Sequence, residues 1–282
     1  MSENNPFLGH LPTALAAALA AGREILDVYA ADFAVAEKDD RSPLTAADTR
    51  AHGVIRRILA DSGLPLLSEE GRHTAYDQRR DWQRLWIVDP LDGTKEFVSR
   101  NGEFTVNIAL VHRQRPVLGV IYVPVADRLY LAAAGTGAWC IETAARRLAD
   151  VAALAHWSET AQTLPLARDG RRPFTVVGSR SHANPALKDF VARLGHDHDP
   201  VAFAAAGSAL KFCRLAEGSA DVYPRPAPTM EWDTAAGQCI VEAVGGRVLI
   251  WDTDRSLRYN RQNLVNPGFV ALAPGVTLSS YK

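Results

Sequence analysis

The run Trp86-Ile87-Val88-Asp89-Pro90-Leu91-Asp92-Gly93-Thr94-Lys95 constrains this chain more than any other stretch. Three apolar residues lead straight into an aspartate, the pattern of a buried strand that ends in a cleft. Pro90 and Gly93 predict that the strand stops there and turns. Asp89 and Asp92, on one turn, can then point into the same small volume. Thr94 is placed to cap a helix running through Lys95, Glu96 and Phe97. Crowded carboxylates repel one another unless a cation sits between them. A hard divalent ion with oxygen ligands suits that place, and Mg²⁺ usually binds through a few carboxylates plus substrate phosphate. The helix start beside it offers free N–H groups to an anion. A metal site next to an anion site suggests phosphate chemistry.

The rest of the sequence narrows the setting. At 282 residues the chain is long enough for one large domain or two packed ones. Charged residues make up 22% and apolar ones 47%, the balance of a soluble globular protein. The net charge of −1 and the absence of any Lys/Arg-rich block argue against a nucleic-acid polymer as partner. Met1 to His10 has neither a basic start nor an apolar signal core. The Ala-rich run from Leu11 to Ala21 is too short to span a bilayer. Cys140, Cys213 and Cys239 lie far apart in odd number, which argues against a disulfide framework and for a reducing cytoplasm.

Periodicity predicts an amphipathic helix over about 11–31 and a second one opening at Thr45-Ala46-Ala47-Asp48. Leu64-Pro65-Leu66-Leu67 reads as a short strand that delivers Ser68-Glu69-Glu70 to a loop, a second place where a strand presents carboxylates. Residues 72–84 are polar and read as loop. Strands are expected at Phe104–Leu110, Val117–Val123 and Leu129–Ala133, with Gly135–Trp139 closing an antiparallel meander. Residues 140–172 lack a clean period and read as a connector with some helix. Strand–helix alternation follows, with strands at Phe174–Val177, Val201–Ala206, Asp221–Tyr223, Val248–Trp251 and Phe269–Ala273. Helices are expected from Pro185 to Gly195, after Gly207-Ser208, and from Asp233 to Val244. An α+β first part, residues 1–145, and an α/β second part, residues 146–282, predict a layered αβαβα sandwich with the active cleft between the halves.

Each motif has a plainer reading. Asp92-Gly93 by itself is a common turn pair, and an isolated Glu69-Glu70 is better read as solvated loop charge. Asp48 fits the acidic position of a capping box begun by Thr45, and Asp233 is equally well explained as a helix N-cap. An EF-hand loop is a poor match, since the twelfth position from Asp89 is Arg100. The D-x-D-G-T pattern of aspartyl-phosphate phosphatases is broken by one extra residue between the aspartates. Cys140 to Arg146 has the C-x₅-R spacing of cysteine phosphatases but lacks their glycines and preceding His, and is treated as coincidence. No P-loop, G-x-G-x-x-G, G-x-S-x-G or H-E-x-x-H occurs. His182, His196 and His198 could suggest zinc, but the last two sit in a polar loop that reads as surface.

Taken together, Ser42-Pro43-Leu44-Thr45-Ala46-Ala47-Asp48, Ser68-Glu69-Glu70, Asp89-Pro90-Leu91-Asp92-Gly93-Thr94 and Trp232-Asp233-Thr234-Ala235-Ala236-Gly237 resemble the inositol monophosphatase superfamily, whose members are magnesium-dependent, lithium-sensitive phosphomonoesterases. The resemblance runs on to Asn266-Pro267-Gly268-Phe269 and covers nearly the whole chain. It looks closest to the CysQ-type 3′(2′),5′-bisphosphate nucleotidase branch. The segments implying that branch are Gly93–Phe97, Asn101–Asn107, Ser179-Arg180-Ser181-His182, Gly207-Ser208 with Lys211-Phe212-Cys213, and Tyr223-Pro224-Arg225. One departure is the 140–172 connector, which is longer than usual for that branch.

The resemblance implies a fold of the inositol monophosphatase/fructose-1,6-bisphosphatase type and a specific site. Glu69, Asp89 and the Leu91 carbonyl would hold one Mg²⁺, and Asp89, Asp92 and Asp233 a second. Glu69 would also help hold a third, weaker ion through water. Thr94, hydrogen-bonded to Asp48, would orient the attacking water, with Glu69 beside them in the catalytic set. Glu69, Leu91, Asp92, Gly93, Thr94 and Asp233 would surround the scissile phosphate. A second phosphate wants cations, and Lys211, Arg225, Arg180 and His182 are the candidates. Ser181, Gly207 and Ser208 would meet ribose or base. The implied reaction turns adenosine 3′,5′-bisphosphate and water into AMP and phosphate, with 3′-phosphoadenylyl sulfate as a second substrate and a role in sulfur assimilation. Expected alongside are a monomer or homodimer, and a cytoplasmic location, free or peripheral on the cytoplasmic face of the inner membrane. The rival readings are an inositol or sugar monophosphatase with the same metals, and a non-catalytic nucleotide or metal sensor.

Overall fold

Along the strand that carries Asp89, neighbouring residues pack into different cores. Trp86 and Val88 join one apolar cluster, and Leu85 and Ile87 join another. Both faces of this strand are therefore buried, and its period-two alternation assigns residues to layers. Each fully buried large apolar side chain contributes roughly 1.5–3 kcal/mol. A slip of one residue would send the whole set to the wrong layer, so the register is firmly specified.

The computed structural model describes residues 5–31, 35–37, 43–72, 74–166, 172–179, 185–198 and 200–277. The first layer is helical: α1 (Leu11–Tyr29) and α2 (Ala46–Leu59), with the antiparallel pair β1 (Val35–Glu37) and β2 (Pro43–Thr45) between them in sequence. The larger sheet takes its strands in chain order: β3 (Leu66–Ser68), β4 (Arg84–Asp92), β5 (Thr105–His112), β6 (Arg115–Val123), β7 (Arg128–Ala133), β8 (Gly137–Glu142) and β9 (Gln162–Thr163). β3 runs parallel to β4, and the rest is an antiparallel meander. Short helices α3 (Tyr76–Arg79), α4 (Thr94–Val98), α5 (Ala144–Arg147) and α6 (Val151–Ala155) sit in its connections. The second sheet contains β10 (Phe174–Gly178), β11 (Val201–Ala205), β12 (Val222–Arg225), β14 (Arg247–Ile250) and β16 (Phe269–Leu272), in the order β11-β10-β12-β16-β14. Helices α7 (Pro185–Asp197), α8 (Leu210–Ala216) and α9 (Glu231–Ala243) alternate with these strands. A small pair, β13 (Thr229–Met230) with β15 (Val265–Asn266), flanks the start of α9.

Three apolar clusters make the layers αβαβα, as the sequence predicts. One joins α1 and α2 to Trp86, Val88, Val106, Ile108 and Leu110. The next packs α8 and α9 between Leu85, Ile87 and Ala109 of the larger sheet and Val177, Tyr223, Phe269 and Ala271 of the smaller. The last buries Phe190 and Leu194 of α7 against Val176, Val222, Val270 and Leu272. Helix α9 sits so close to β6 that a Cβ on Gly119 would lie 2.6 Å from the Ala236 carbonyl oxygen.

Several local expectations need correction. The strand through Asp89 does not stop there: β4 continues to Asp92, with a register irregularity between Asp89, paired with Asn107, and Asp92, paired with Thr105. A bulge absorbs the extra residue, and Pro90 is tolerated because an irregular ladder needs no N–H there. Gly93, at φ +92, is the residue before α4, and Thr94 is the first helical residue rather than its cap. Within 72–84 the polar stretch holds α3, which buries Arg79. The 140–172 connector begins as strand: β8 runs to Glu142, and β9 adds the last strand of the larger sheet, beyond residue 145. Helix α9 starts at Glu231, which places Asp233 in its first turn.

Candidate active site

The cleft forms where three chain segments end together. β3 ends at Ser68, and Glu69 follows it, its N–H donating to the Val88 carbonyl at 3.2 Å. The parallel pairing of β3 with β4 therefore sets Glu69 beside the Asp89 end of the neighbouring strand. The bulge turns β4 so that Asp89 is buried and Asp92 half-buried. The Leu91 N–H closes back on Asp89 Oδ1 at 3.0 Å. Asn107 donates its amide to Asp92 Oδ2 at 3.1 Å and accepts from the Thr105 hydroxyl at 2.9 Å. The fourth carboxylate comes from the other half: Asp233, whose Oδ2 accepts the Met230 N–H at 2.8 Å.

Charge repulsion marks the cluster. Burial pushes the Asp89 carboxyl well above the ordinary carboxylate range, and the neighbouring Glu69, Asp92 and Asp233 push it further. A hydrogen bond with the Glu69 side chain acts in the same direction. Asp233 is raised likewise, by burial first and then by Asp92, against the Met230 N–H. Asp92 is pushed up to about 6 by burial, opposed by Lys211 and by the Asn107 hydrogen bond. Among the described residues no His, Cys, Asp and Glu group is already closed up to hold a metal ion. The donor set still fits one: four carboxylates, all oxygen, crowded around Asp89, suit a hard cation rather than zinc or copper.

Beside the carboxylates, Thr94 and Asp48 meet. Thr94 Oγ1 lies 3.4 Å from Asp48 Oδ1 and 3.5 Å from the Leu91 carbonyl. Asp48 is held from behind, its Oδ2 accepting both the N–H and the hydroxyl of Thr45 at 2.7 Å. Thus Asp48 does occupy the acidic position of a capping box, and its other oxygen remains turned toward Thr94.

Asp92, Gly93, Ser208, Lys211, Arg225 and Asp233 line one cleft of about 140 Å³. Gly93 is obligatory here: a Cβ would lie 2.3 Å from Ser208 Oγ. Three expected substrate contacts turn out to be occupied internally. Ser208 Oγ is within 2.9 Å of the Asp92 carbonyl and 2.5 Å of the Glu103 carbonyl, and the Gly207 N–H donates to Glu103 Oε2 at 2.9 Å. Lys211 Nζ donates to the carbonyls of Ala206 (3.2 Å) and Ser208 (2.6 Å), and sits over the Tyr223 ring. Arg225 differs, because its buried Nε has no hydrogen-bond partner. An orphaned guanidinium N–H in a cleft is a costly feature unless an anion satisfies it. Arg180, Ser181 and His182 lie outside the described residues.

The other sequence candidates fall away from this cleft. Cys140 is buried on β8 and its thiol is pushed up by burial, while Arg146 is exposed on α5. His198 stacks on Phe174 with ring centres 3.8 Å apart. Sequence reasoning missed Glu103, and it missed the support beneath Asp233. There Glu231, fully buried, accepts the N–H groups of Asn260 (2.6 Å) and Arg261 (3.0 Å). Glu103 stands in the quoted Asn101–Asn107 segment and could have been singled out, but nothing local marks Glu231 as structural.

The fold and the crossing of three carboxylate-bearing segments define a protein of the inositol monophosphatase family, and the chain belongs to it: the family's sequence pattern matches residues 10–281. It is 46% identical over 255 residues to the "3′(2′),5′-bisphosphate nucleotidase CysQ" of Shigella flexneri, covering 88% of this chain and 94% of that one. To the protein of the same name in Escherichia coli K12 it is 44% identical over 256 residues, with the same coverage. A crystal structure of CysQ from Bacteroides thetaiotaomicron superposes with a TM-score of 0.85 at 47% identity, over 96% of this chain and 99% of that one.

Proposed function

We propose that this protein is a metal-dependent 3′(2′),5′-bisphosphate nucleotidase that removes the 3′-phosphate of adenosine 3′,5′-bisphosphate. Products are AMP and inorganic phosphate, and 3′-phosphoadenylyl sulfate is a second substrate. The observation that carries the reading is the burial of Asp89 among Glu69, Asp92 and Asp233. Such a cluster needs a cation, and the relatives named above carry this activity in their names.

Glu69, Asp89, the Leu91 carbonyl, Asp92 and Asp233 would hold two Mg²⁺ ions, with a third, weaker one near Glu69. Bound there, the ions supply an activated water and neutralise phosphate charge. The remaining steps belong to side chains. Asp48 Oδ1 accepts the hydrogen bond of the Thr94 hydroxyl, which leaves the Thr94 oxygen lone pairs to accept a hydrogen bond from the attacking water and aim it. Asn107 holds Asp92 in orientation. Arg225 directs its orphaned Nε–H to the phosphate that is not cleaved. Lys211 keeps one N–H beyond its two internal bonds and adds positive charge to the same wall.

Among the described residues no helix is long and apolar enough to cross a membrane, and all three cysteines are buried free thiols.

A phosphate-release assay over a substrate panel tests the proposal. Adenosine 3′,5′-bisphosphate should be hydrolysed with Mg²⁺ and not with EDTA, and far faster than inositol 1-phosphate. Preference for inositol 1-phosphate would overturn the substrate assignment and leave the metal chemistry standing. No turnover of any phosphomonoester would favour a sensor.

A further inference from the structure

Glu69 and Asp233 come from opposite halves of the chain, and their spacing has to be fixed by something other than either strand or helix alone. One buried arginine links the two segments. Arg79 belongs to the connection that begins at Glu69, and its side chain is 2% exposed. Its Nε donates back to the Thr74 carbonyl at 3.2 Å, gripping its own connection. One terminal nitrogen donates to Asn260 Oδ1 (2.9 Å) and to the Arg261 carbonyl (2.7 Å), and the other to the Gln262 carbonyl (3.1 Å). Asn260 returns its amide to the Arg79 carbonyl at 2.7 Å.

The chain of contacts continues to the metal-site helix. The Asn260 N–H donates to Glu231 Oε2 at 2.6 Å, and Arg261 Nε lies 3.2 Å from Glu231 Oε1. Glu231 is the first residue of α9, and Asp233 follows it in the same turn. Asn260 adopts φ +58, the left-handed conformation that Asn tolerates better than most residues. That conformation lets one residue face Arg79 with its side chain and Glu231 with its N–H. Further along, Asn266 ties the same loop to the Met230 carbonyl (2.7 Å) and to Thr234 Oγ1 (3.0 Å).

We propose that Arg79 and Asn260 form a strut joining the Glu69 connection to the start of α9, and that Arg79 is a positioning residue for the metal-binding carboxylates. The strut touches neither substrate nor metal. It limits the separation of Glu69 and Asp233 against their mutual repulsion, so that less rearrangement is left for the cation to drive. This rests on the metal site proposed above. Partners that orient metal ligands from behind typically change metal affinity by about 10–100-fold when removed.

Calorimetric titration of Mg²⁺ into metal-free protein tests it, with wild type, Arg79→Met, Arg261→Ala and a control, Arg128→Met. The control breaks a partly buried ion pair, 2.9 Å to Glu217, whose residues do not line the cleft. The strut predicts that Arg79→Met weakens Mg²⁺ binding about tenfold or more. Arg261→Ala, at the half-exposed arm, should weaken it by less, and Arg128→Met should leave it within about twofold while lowering Tm. In turnover, the Arg79→Met deficit should shrink as Mg²⁺ is raised, with KM for adenosine 3′,5′-bisphosphate unchanged at saturating metal. If Arg79→Met fails to fold, Arg261→Ala and Asn260→Asp decide the matter by the same titration. Unchanged Mg²⁺ affinity in the folded strut variants overturns the proposal, and so does equal loss in the Arg128→Met control. Absence of Mg²⁺ binding in wild type would instead refute the metal site itself.

Discussion

Thr94 Oγ1 stands 3.4 Å from Asp48 Oδ1, although the two residues belong to different helices 46 positions apart in the chain. At that length the contact is a loose hydrogen bond, of the sort that tightens when a catalytic complex assembles. Thr45 fixes the far oxygen of Asp48 with two short bonds, so the geometry of the pair is set from the Asp48 side.

Thr94→Ala should therefore lower kcat by about 10²–10⁴ with little change in KM, the range for a positioned group that handles a reacting proton. Thr94→Ser, which keeps the hydroxyl, should retain most activity. Steady-state kinetics on adenosine 3′,5′-bisphosphate checks this. A Thr94→Ala enzyme near wild-type kcat would remove Thr94 from the chemistry.

Arg225 gives a prediction about substrate choice. Losing a charge-assisted hydrogen bond costs about 1.5–3 kcal/mol, which corresponds to roughly 10- to 100-fold in KM. Arg225→Ala should raise KM for the bisphosphate by that factor. It should barely alter the weak hydrolysis of a substrate with a single phosphate. Equal effects on both substrate types would mean that Arg225 does not read the second phosphate.

The carboxylate cluster predicts opposite effects on stability and turnover. Asp92→Asn removes one of the charges that raise Asp89 and Asp233. The metal-free variant should melt a few degrees above metal-free wild type, while its kcat falls to background. Added Mg²⁺ should stabilise wild type and have much less effect on the variant, since only binding to the native state raises Tm. Differential scanning calorimetry with and without EDTA measures all four cases. A metal-free Asp92→Asn protein less stable than wild type would mean that the repulsion is already relieved by other contacts.

The contact between α9 and β6 has its own test. In Gly119→Ala the new Cβ would meet the Ala236 carbonyl at 2.6 Å and Cys239 Cβ at 2.9 Å. Overpacking of this kind costs about 1–3 kcal/mol. Gly9→Ala, with nothing within 4 Å, should change stability by no more than about 0.5 kcal/mol. Urea unfolding compares the two. Equal stabilities would mean that α9 can back away from the sheet freely.

The elements that the sequence disclosed best were those whose signal is local. The strand at Asp89 shows its apolar run, and Thr45 with Asp48 spells a capping box that forms as read. Where a local rule competed with the ladder, the reading slipped. Pro90 and Gly93 argued for a stop at Asp89, yet pairing with β5 resumes at Asp92 because a bulge can house the proline. Thr94 looked like a cap, but Gly93 in the left-handed region opens the helix and frees the hydroxyl for Asp48. The support under the site was not legible at all. Arg79, Glu231 and Asn260 are polar residues in unremarkable surroundings, and only the tertiary fold buries them against one another. Ser208 and Lys211 show the converse. Their types suggested ligand contacts, and most of their hydrogen-bonding capacity is spent within the chain.

The central claim is that carboxylates from three separated segments cage a hard cation. Mg²⁺ titrated calorimetrically into EDTA-treated, dialysed protein tests it most directly. The account predicts saturable binding to wild type that is lost in Asp89→Asn and in Asp233→Asn. Wild-type protein that takes up no Mg²⁺, or an Asp233→Asn variant that binds it as wild type does, would contradict the claim.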